Sequence, residues 1–127
     1  MIKRKSGFEV HREEGILLLT LYGEIDHHSA VQIRTEIDAL LYEELPKKTV
    51  LDLSHIEFMD SSGLGLIMGR YALMQKLGGE LTLKNPHARI VQIFTLAGLQ
   101  RMVKIEESEE KPREETSREE TSKEERA

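Results

Sequence analysis

Apolar residues alternate weakly over 8–12, then run almost unbroken over 16–21, with Glu14-Gly15 between. That pattern predicts an edge strand, a turn and a buried strand. The near-continuous run predicts that both faces of the second strand are covered. Ala30, Ile33, Ile37, Leu40 and Leu41 then recur at spacings of three and four, one face of a helix. Asp26 or Ser29 can cap that helix, and Ser29 with Gln32 fits a capping box. Pro46 and Lys47-Lys48 form a loop before a second buried strand at 50–53. A second helix is predicted from about 62 to 77, with Leu64, Ile67, Met68, Tyr71 and Met74 as its stripe. Gly78-Gly79 ends it in the left-handed manner. Short strands follow at 81–83 and 102–105. Between them Asn85-Pro86 opens a third helix, striped by Ile90, Val91, Phe94 and Ala97 and stopped by Gly98.

Strands alternating with helices predict the α/β class. The sheet is mixed and mostly parallel, with an antiparallel edge hairpin, packed by three to four α-helices. Partners and ligands of such sheets meet the carboxyl ends of the strands. Asp26 and residues 60–63 fall at such ends.

Composition narrows the classes. The chain of 127 residues is one domain's worth, and it has no Cys for a disulfide frame or a thiolate metal site. No signal peptide is visible, and the longest apolar run, 16–19, is far too short to cross a bilayer. A cytoplasmic protein without a membrane contact is expected. Residues 1–105 hold 13 Lys+Arg and 13 Asp+Glu, while 106–127 hold 5 and 10, so the whole net charge of −5 lies in the tail. A neutral body without a basic patch argues against nucleic acid as a direct partner. Residues 1–105 are therefore the expected domain and 106–127 a charged, disordered tail, because nothing apolar offsets its ordering entropy. Within it Arg113-Glu-Glu-Thr-Ser117 recurs as Arg118-Glu-Glu-Thr-Ser122.

The chemistry concentrates at Phe58-Met59-Asp60-Ser61-Ser62-Gly63-Leu64-Gly65, where a strand hands over to a helix. A helix start offers unpaired N–H groups and a partial positive charge. One Ser can cap the helix, bind an anion or carry a phosphate. A phosphate would add about −1.5 to −2 charge and turn a flat Ser-Ser-Gly patch into a bulky dianion beside Asp60. Gly63-x-Gly65-x-x-x-Gly69 offers a competing reading, a nucleotide-binding turn. Glu80, however, starts the next strand instead of ending it, where a ribose would need an acid. Small residues that let the helix lie close to the sheet explain the glycines as well. Asp26-His27-His28 lacks a third ligand nearby in sequence for a metal. Ser61 lacks the Gly-x-Ser-x-Gly elbow of a hydrolase, and no Gly-Lys-Ser or Gly-Lys-Thr marks a P-loop.

Gly23-Glu24-Ile25-Asp26-His27-His28-Ser29-Ala30 and the longer stretch from Phe58 through Gly69-Arg70-Tyr71 resemble the STAS-domain anti-sigma factor antagonists. The similarity covers roughly residues 7–105. The His-His pair and Gly69-Arg70-Tyr71 favour the sporulation, anti-sigma-F class over the general-stress class. The resemblance implies the STAS fold and a regulator, not an enzyme, that takes part in partner switching. Unphosphorylated, it would bind an anti-sigma factor that is also a serine kinase and release the sigma factor for transcription. Phosphorylation of Ser61 would switch it off, and a serine phosphatase would restore it. Asp60, Ser61, Ser62, Gly63, Leu64 and Gly65 would face the kinase, joined by Glu24 and Asp26. The chain would need no cofactor, ATP being used by the partner kinase, and would act as a monomer. The tail departs from the family and receives no role. Two alternatives stand beside this: a small nucleotide-binding protein using Gly63, Gly65 and Gly69, and a non-switching STAS scaffold in which Ser61 only caps the helix.

Overall fold

In a computed structural model, described over residues 5–107, the chain forms one five-stranded sheet in the order β1-β2-β3-β4-β5. The elements are β1 (Gly7–Glu13), β2 (Ile16–Ile25), α1 (His27–Glu44), β3 (Lys48–Met59), α2 (Ser61–Lys76), β4 (Glu80–Lys84), α3 (Ala88–Ala97), a 3-10 turn (Leu99–Arg101) and β5 (Lys104–Glu106). β1 runs antiparallel to β2, and every later pair is parallel. The mixed, mostly parallel sheet with an edge hairpin matches the expectation, with three α-helices and one 3-10 turn. The tail expected over 106–127 lies outside the described residues apart from its first two positions.

Strands added in one direction through right-handed crossovers carry their helices on one face. β2 records this. Leu17, Leu19, Leu21 and Ile25 are buried, while Ile16, Leu18, Thr20 and Tyr22 between them are half-buried. The apolar run therefore did not signal equal cover on both faces, because no crossover returns to the second face. Leu51 and Leu53 of β3 join the covered side, against Ile33, Ile37 and Leu41 of α1 and Leu66, Ile67 and Met74 of α2. Ile90 and Phe94 of α3 extend the same core to Leu81 and Leu83 of β4.

Several details depart from the sequence reading. α2 buries Gly63, Leu66, Ile67, Arg70 and Met74, so its inner face is turned from the apolar stripe, and Leu64, Met68 and Tyr71 are half-buried. His87, not Asn85, precedes α3, and Asn85 has a left-handed backbone (φ 54). Ala97 is exposed. The turn at Leu99–Arg101 delays β5 to residue 104. Gly78 does stop α2 in a left-handed conformation (φ 84), with the Gly79 N–H donating to the Met74 carbonyl at 2.9 Å.

The inner face of α2 also carries one charged residue, paired with α1. Arg70 is 6 % exposed and its Nε lies 2.8 Å from Asp38 Oδ1 of α1, with Nη2 3.5 Å from Oδ2. Its stem covers apolar surface while the head reaches the neighbouring helix. Burial pushes the Arg70 guanidinium below its usual value, Asp38 pulls it back up, and the Arg34 charge pushes it down further. Removing one partner strands a buried charge. Asp38 keeps 31 % of its side chain in water, which softens the loss. Asp38→Ala should cost about 2 kcal/mol, lowering the melting temperature by roughly 8–15 °C. Replacing both residues by apolar ones, Asp38→Leu with Arg70→Met, should recover most of that in thermal unfolding.

Candidate functional site

β2 and β3 remain paired to their last residues, with Ile25 opposite Met59. Each is followed by an Asp that caps a helix. The Asp26 carboxylate accepts from the Ser29 N–H at 2.9 Å, and the Asp26 N–H donates to Ser29 Oγ at 3.0 Å. The capping box is thus Asp26 with Ser29, not Ser29 with Gln32. The Asp60 carboxylate accepts from the Ser62 N–H at 2.8 Å, and the Asp60 N–H donates to the Ile25 carbonyl at 3.2 Å. That last bond ties one junction to the other. Two helix N-termini therefore lie side by side at the carboxyl edge of the sheet.

Within this frame the cap of α2 is Asp60, and neither Ser performs it. Ser61 is the first helical residue and is exposed, while Ser62 is half-buried. The N–H groups expected to be free are partly used, since Asp60 holds that of Ser62. An anion on Ser61 would share the helix end with a carboxylate already in place. Glu24 and Asp26 are exposed on the adjoining junction, so carboxylates also stand where a nucleotide's phosphates would have to approach. Among the described residues, no three His, Cys, Asp or Glu side chains gather to hold a metal ion. None of the helices there is long and apolar enough to cross a membrane.

The glycines separate into two kinds. A side chain on Gly63 would collide with the Met59 side chain, so this position lets α2 start close to the strand end. Nothing lies within 4 Å of a side chain built on Gly65 or Gly69, so packing onto the sheet explains neither. Gly65 instead opens onto a shallow groove between Ala30, Val31 and Arg34 of α1 and Ser62 and Leu66 of α2. Gly23 takes a left-handed conformation (φ 86), and a side chain there would strike the backbone of Lys5 and Ser6. The structure thus brings Glu24, Asp26, Asp60, Ser61, Ser62, Gly63 and Gly65 to one edge, with Leu64 half-buried behind them. Sequence reasoning missed the buried Arg70–Asp38 tie behind this edge; the lone Arg inside an apolar run was its signal.

A family model described as the STAS domain matches residues 7–111. The chain is 34 % identical over 101 residues to an anti-sigma F factor antagonist of Paenibacillus polymyxa, covering 80 % of this chain and 86 % of that protein. It is 30 % identical over 97 residues to the anti-sigma-B factor antagonist of Bacillus subtilis (strain 168), covering 76 % and 87 %. The solved structure of the anti-sigma factor antagonist SpoIIAA in its unphosphorylated form superimposes with a TM-score of 0.71 at 28 % identity, covering 81 % of this chain and 89 % of that one. The phosphorylated form of SpoIIAA, a Bacillus cell fate determinant, gives 0.66 at 28 %, covering 81 % and 92 %.

Two measurements test the junction itself. Gly63→Ala should destabilise by about 1–3 kcal/mol through overpacking on Met59. Gly65→Ala should stabilise by about 0.5–1 kcal/mol, because a helix interior gains from Ala where no neighbour objects. Equal effects of the two in chemical denaturation would contradict the packing described. The Ser29 N–H, with lesser help from the Ser29 hydroxyl and from His28, holds the Asp26 carboxyl below its usual value against partial desolvation. A lowered folded-state pKa gives stability that is present above the unfolded value, near 4, and lost as pH falls through the folded one. The stability gap between wild type and Asp26→Ala should therefore be full at neutral pH and shrink in acid as the carboxyl takes up its proton. A gap that persists unchanged in acid would show the carboxylate's charge to be irrelevant.

Proposed function

This chain belongs to the STAS domain family, and we propose that it is an anti-sigma factor antagonist switched by phosphorylation of Ser61. Its homologues are anti-sigma factor antagonists, of both the F and the B type. Unphosphorylated, the chain binds an anti-sigma factor that doubles as a serine kinase, and the sigma factor is released. The kinase spends ATP on Ser61, the antagonist lets go, and a serine phosphatase resets it. The chain supplies an acceptor hydroxyl and a binding face, with no catalytic group or cofactor of its own. The higher identity to the F-type relative, together with the His27-His28 pair, favours the sporulation class.

The observation that carries this reading is the placement of Ser61. It is exposed, first in its helix, and outside the hydrogen bonds that cap that helix. Modification there adds a dianion to the surface without breaking the cap. Repulsion from Asp60, Glu24 and Asp26 drives that dianion outward, toward the face a partner would cover. Glu24, Asp26, Asp60, Ser62, Gly63, Leu64 and Gly65 complete the contact, with bare Gly65 allowing close approach in the groove between α1 and α2. The relative SpoIIAA has been solved with and without phosphate, which supports a switch of this kind.

Incubation with the cognate anti-sigma kinase and ATP, followed by peptide mapping, should place one phosphate on Ser61. Phosphate confined to Ser62 or Ser29 would sink the assignment. Ser61→Asp should abolish or strongly weaken kinase binding while stability changes by about 0.5 kcal/mol or less. Binding that ignores both ATP and Ser61→Asp would leave a scaffold with no switch.

A further inference from the structure

β3 outruns β4. Their last paired residues are Asp52 and Lys84, so residues 53–59 pair with β2 alone. Within that stretch the pairing skips Glu57, since Gly23 faces Ile56 and Glu24 faces Phe58. A bulge leaves one residue unpaired and re-aims its neighbours. Glu57 and Phe58 are both exposed, where a regular strand would turn one of them inward, and Phe58 is 52 % exposed. Beyond the open edge stands α3. Ile56 and Phe58 on the strand side face Ile90 and Ile93 on the helix side across a groove of about 150 Å³, whose charged lining is Glu57 from the strand and His87 and Arg89 from the helix side. Arg89 makes no ion pair among the described residues.

The groove needs an occupant with apolar side chains. Residues 106–127 carry only Pro112 and Ala127, so this chain's own C-terminal segment has no large apolar side chain to place between Phe58 and Ile93. The groove is, however, continuous with the switch: Met59 lines it, and Asp60-Ser61 follow at once. We infer that an extended segment of the anti-sigma partner docks here, an apolar side chain between Phe58 and Ile93 and a carboxylate at Arg89. A strand end without a β4 neighbour, beside a groove with apolar walls, suits such a segment, whose alternate side chains the groove can select. A half-exposed aromatic over an apolar floor is the type of residue that dominates interface energetics. The inference rests on the reading that the partner docks at Ser61. It adds a second contact beside the one at Ser61, made by residues that the phosphate does not modify.

Calorimetric titration of the full chain with its purified cognate anti-sigma factor tests this. Phe58→Ala should weaken binding about tenfold or more. Arg89→Glu should weaken it too and reduce its salt dependence. Both should keep the wild-type circular dichroism. Both should also raise KM for Ser61 phosphorylation while leaving kcat unchanged, because they touch docking and not the acceptor. Wild-type affinity in Phe58→Ala and in Ile93→Asp, with Ser61→Asp still abolishing binding, would overturn the groove and leave the switch intact. Weakening by Phe58→Ala with a harmless Ser61→Asp would keep the groove and remove the switch. A dimer in light scattering that Phe58→Ala dissociates would assign the groove to a second copy of this chain and also overturn the inference.

Discussion

β2 and β3 stay hydrogen-bonded down to Ile25 and Met59, and each then hands over to an Asp-capped helix. The Asp60 N–H bond to the Ile25 carbonyl locks the two handovers at one level. Everything at the functional edge inherits its position from this pairing. Slipping β3 by one residue would turn its apolar set from the helices toward solvent, so the core enforces the register. Leu51 and Leu53, fully buried, contribute about 1.5–3 kcal/mol each to that enforcement. The cap bonds, at about 1 kcal/mol each, then choose where each helix begins. The core thus sets the geometry, and the caps refine it.

Much of this was legible in the residues. The element order followed from the change between period-two and period-four apolar spacing, because each strand and helix shows one face to the same core. The site was legible as well, since Glu24, Asp26 and residues 60–65 fall where strand patterns stop. Other features were hidden for physical reasons. Ser and Asp cap equally well, so only coordinates could give the cap to Asp60 and free Ser61. Arg70 reads as a surface charge until Asp38 meets it across two helices. The polar residues Ser54, His55 and Glu57 disguised the far half of β3, which survives as a strand through pairing with β2 alone and through its bulges. Neither the bulge nor the exposure of Phe58 has a local sequence signature, because the bulge is a register shift between β2 and β3, set by how two distant segments pair.

Small residues illustrate how one residue type serves different ends. Gly23 is required by its left-handed backbone and by the chain lying against it. Gly63 is required by Met59. Gly65 meets neither requirement, and helix propensity alone disfavours it. Gly65 thus weakens its own helix without relieving any contact inside the molecule, and so does Gly69.

The Asp38–Arg70 tie has a further consequence for how such a surface associates. It clamps α1 to α2 some way behind the edge, while the Asp60–Ile25 bond clamps the strand ends in front. The groups at the edge therefore stand on elements held at both ends, and Ser61 hangs on no loop that must first be ordered. Association then sacrifices few rotamers and little backbone freedom, which is a main cost of forming a modest interface. Under the switch proposed above, such a preformed face would release its partner for the loss of a few contacts and would rebind without refolding once the phosphate is removed.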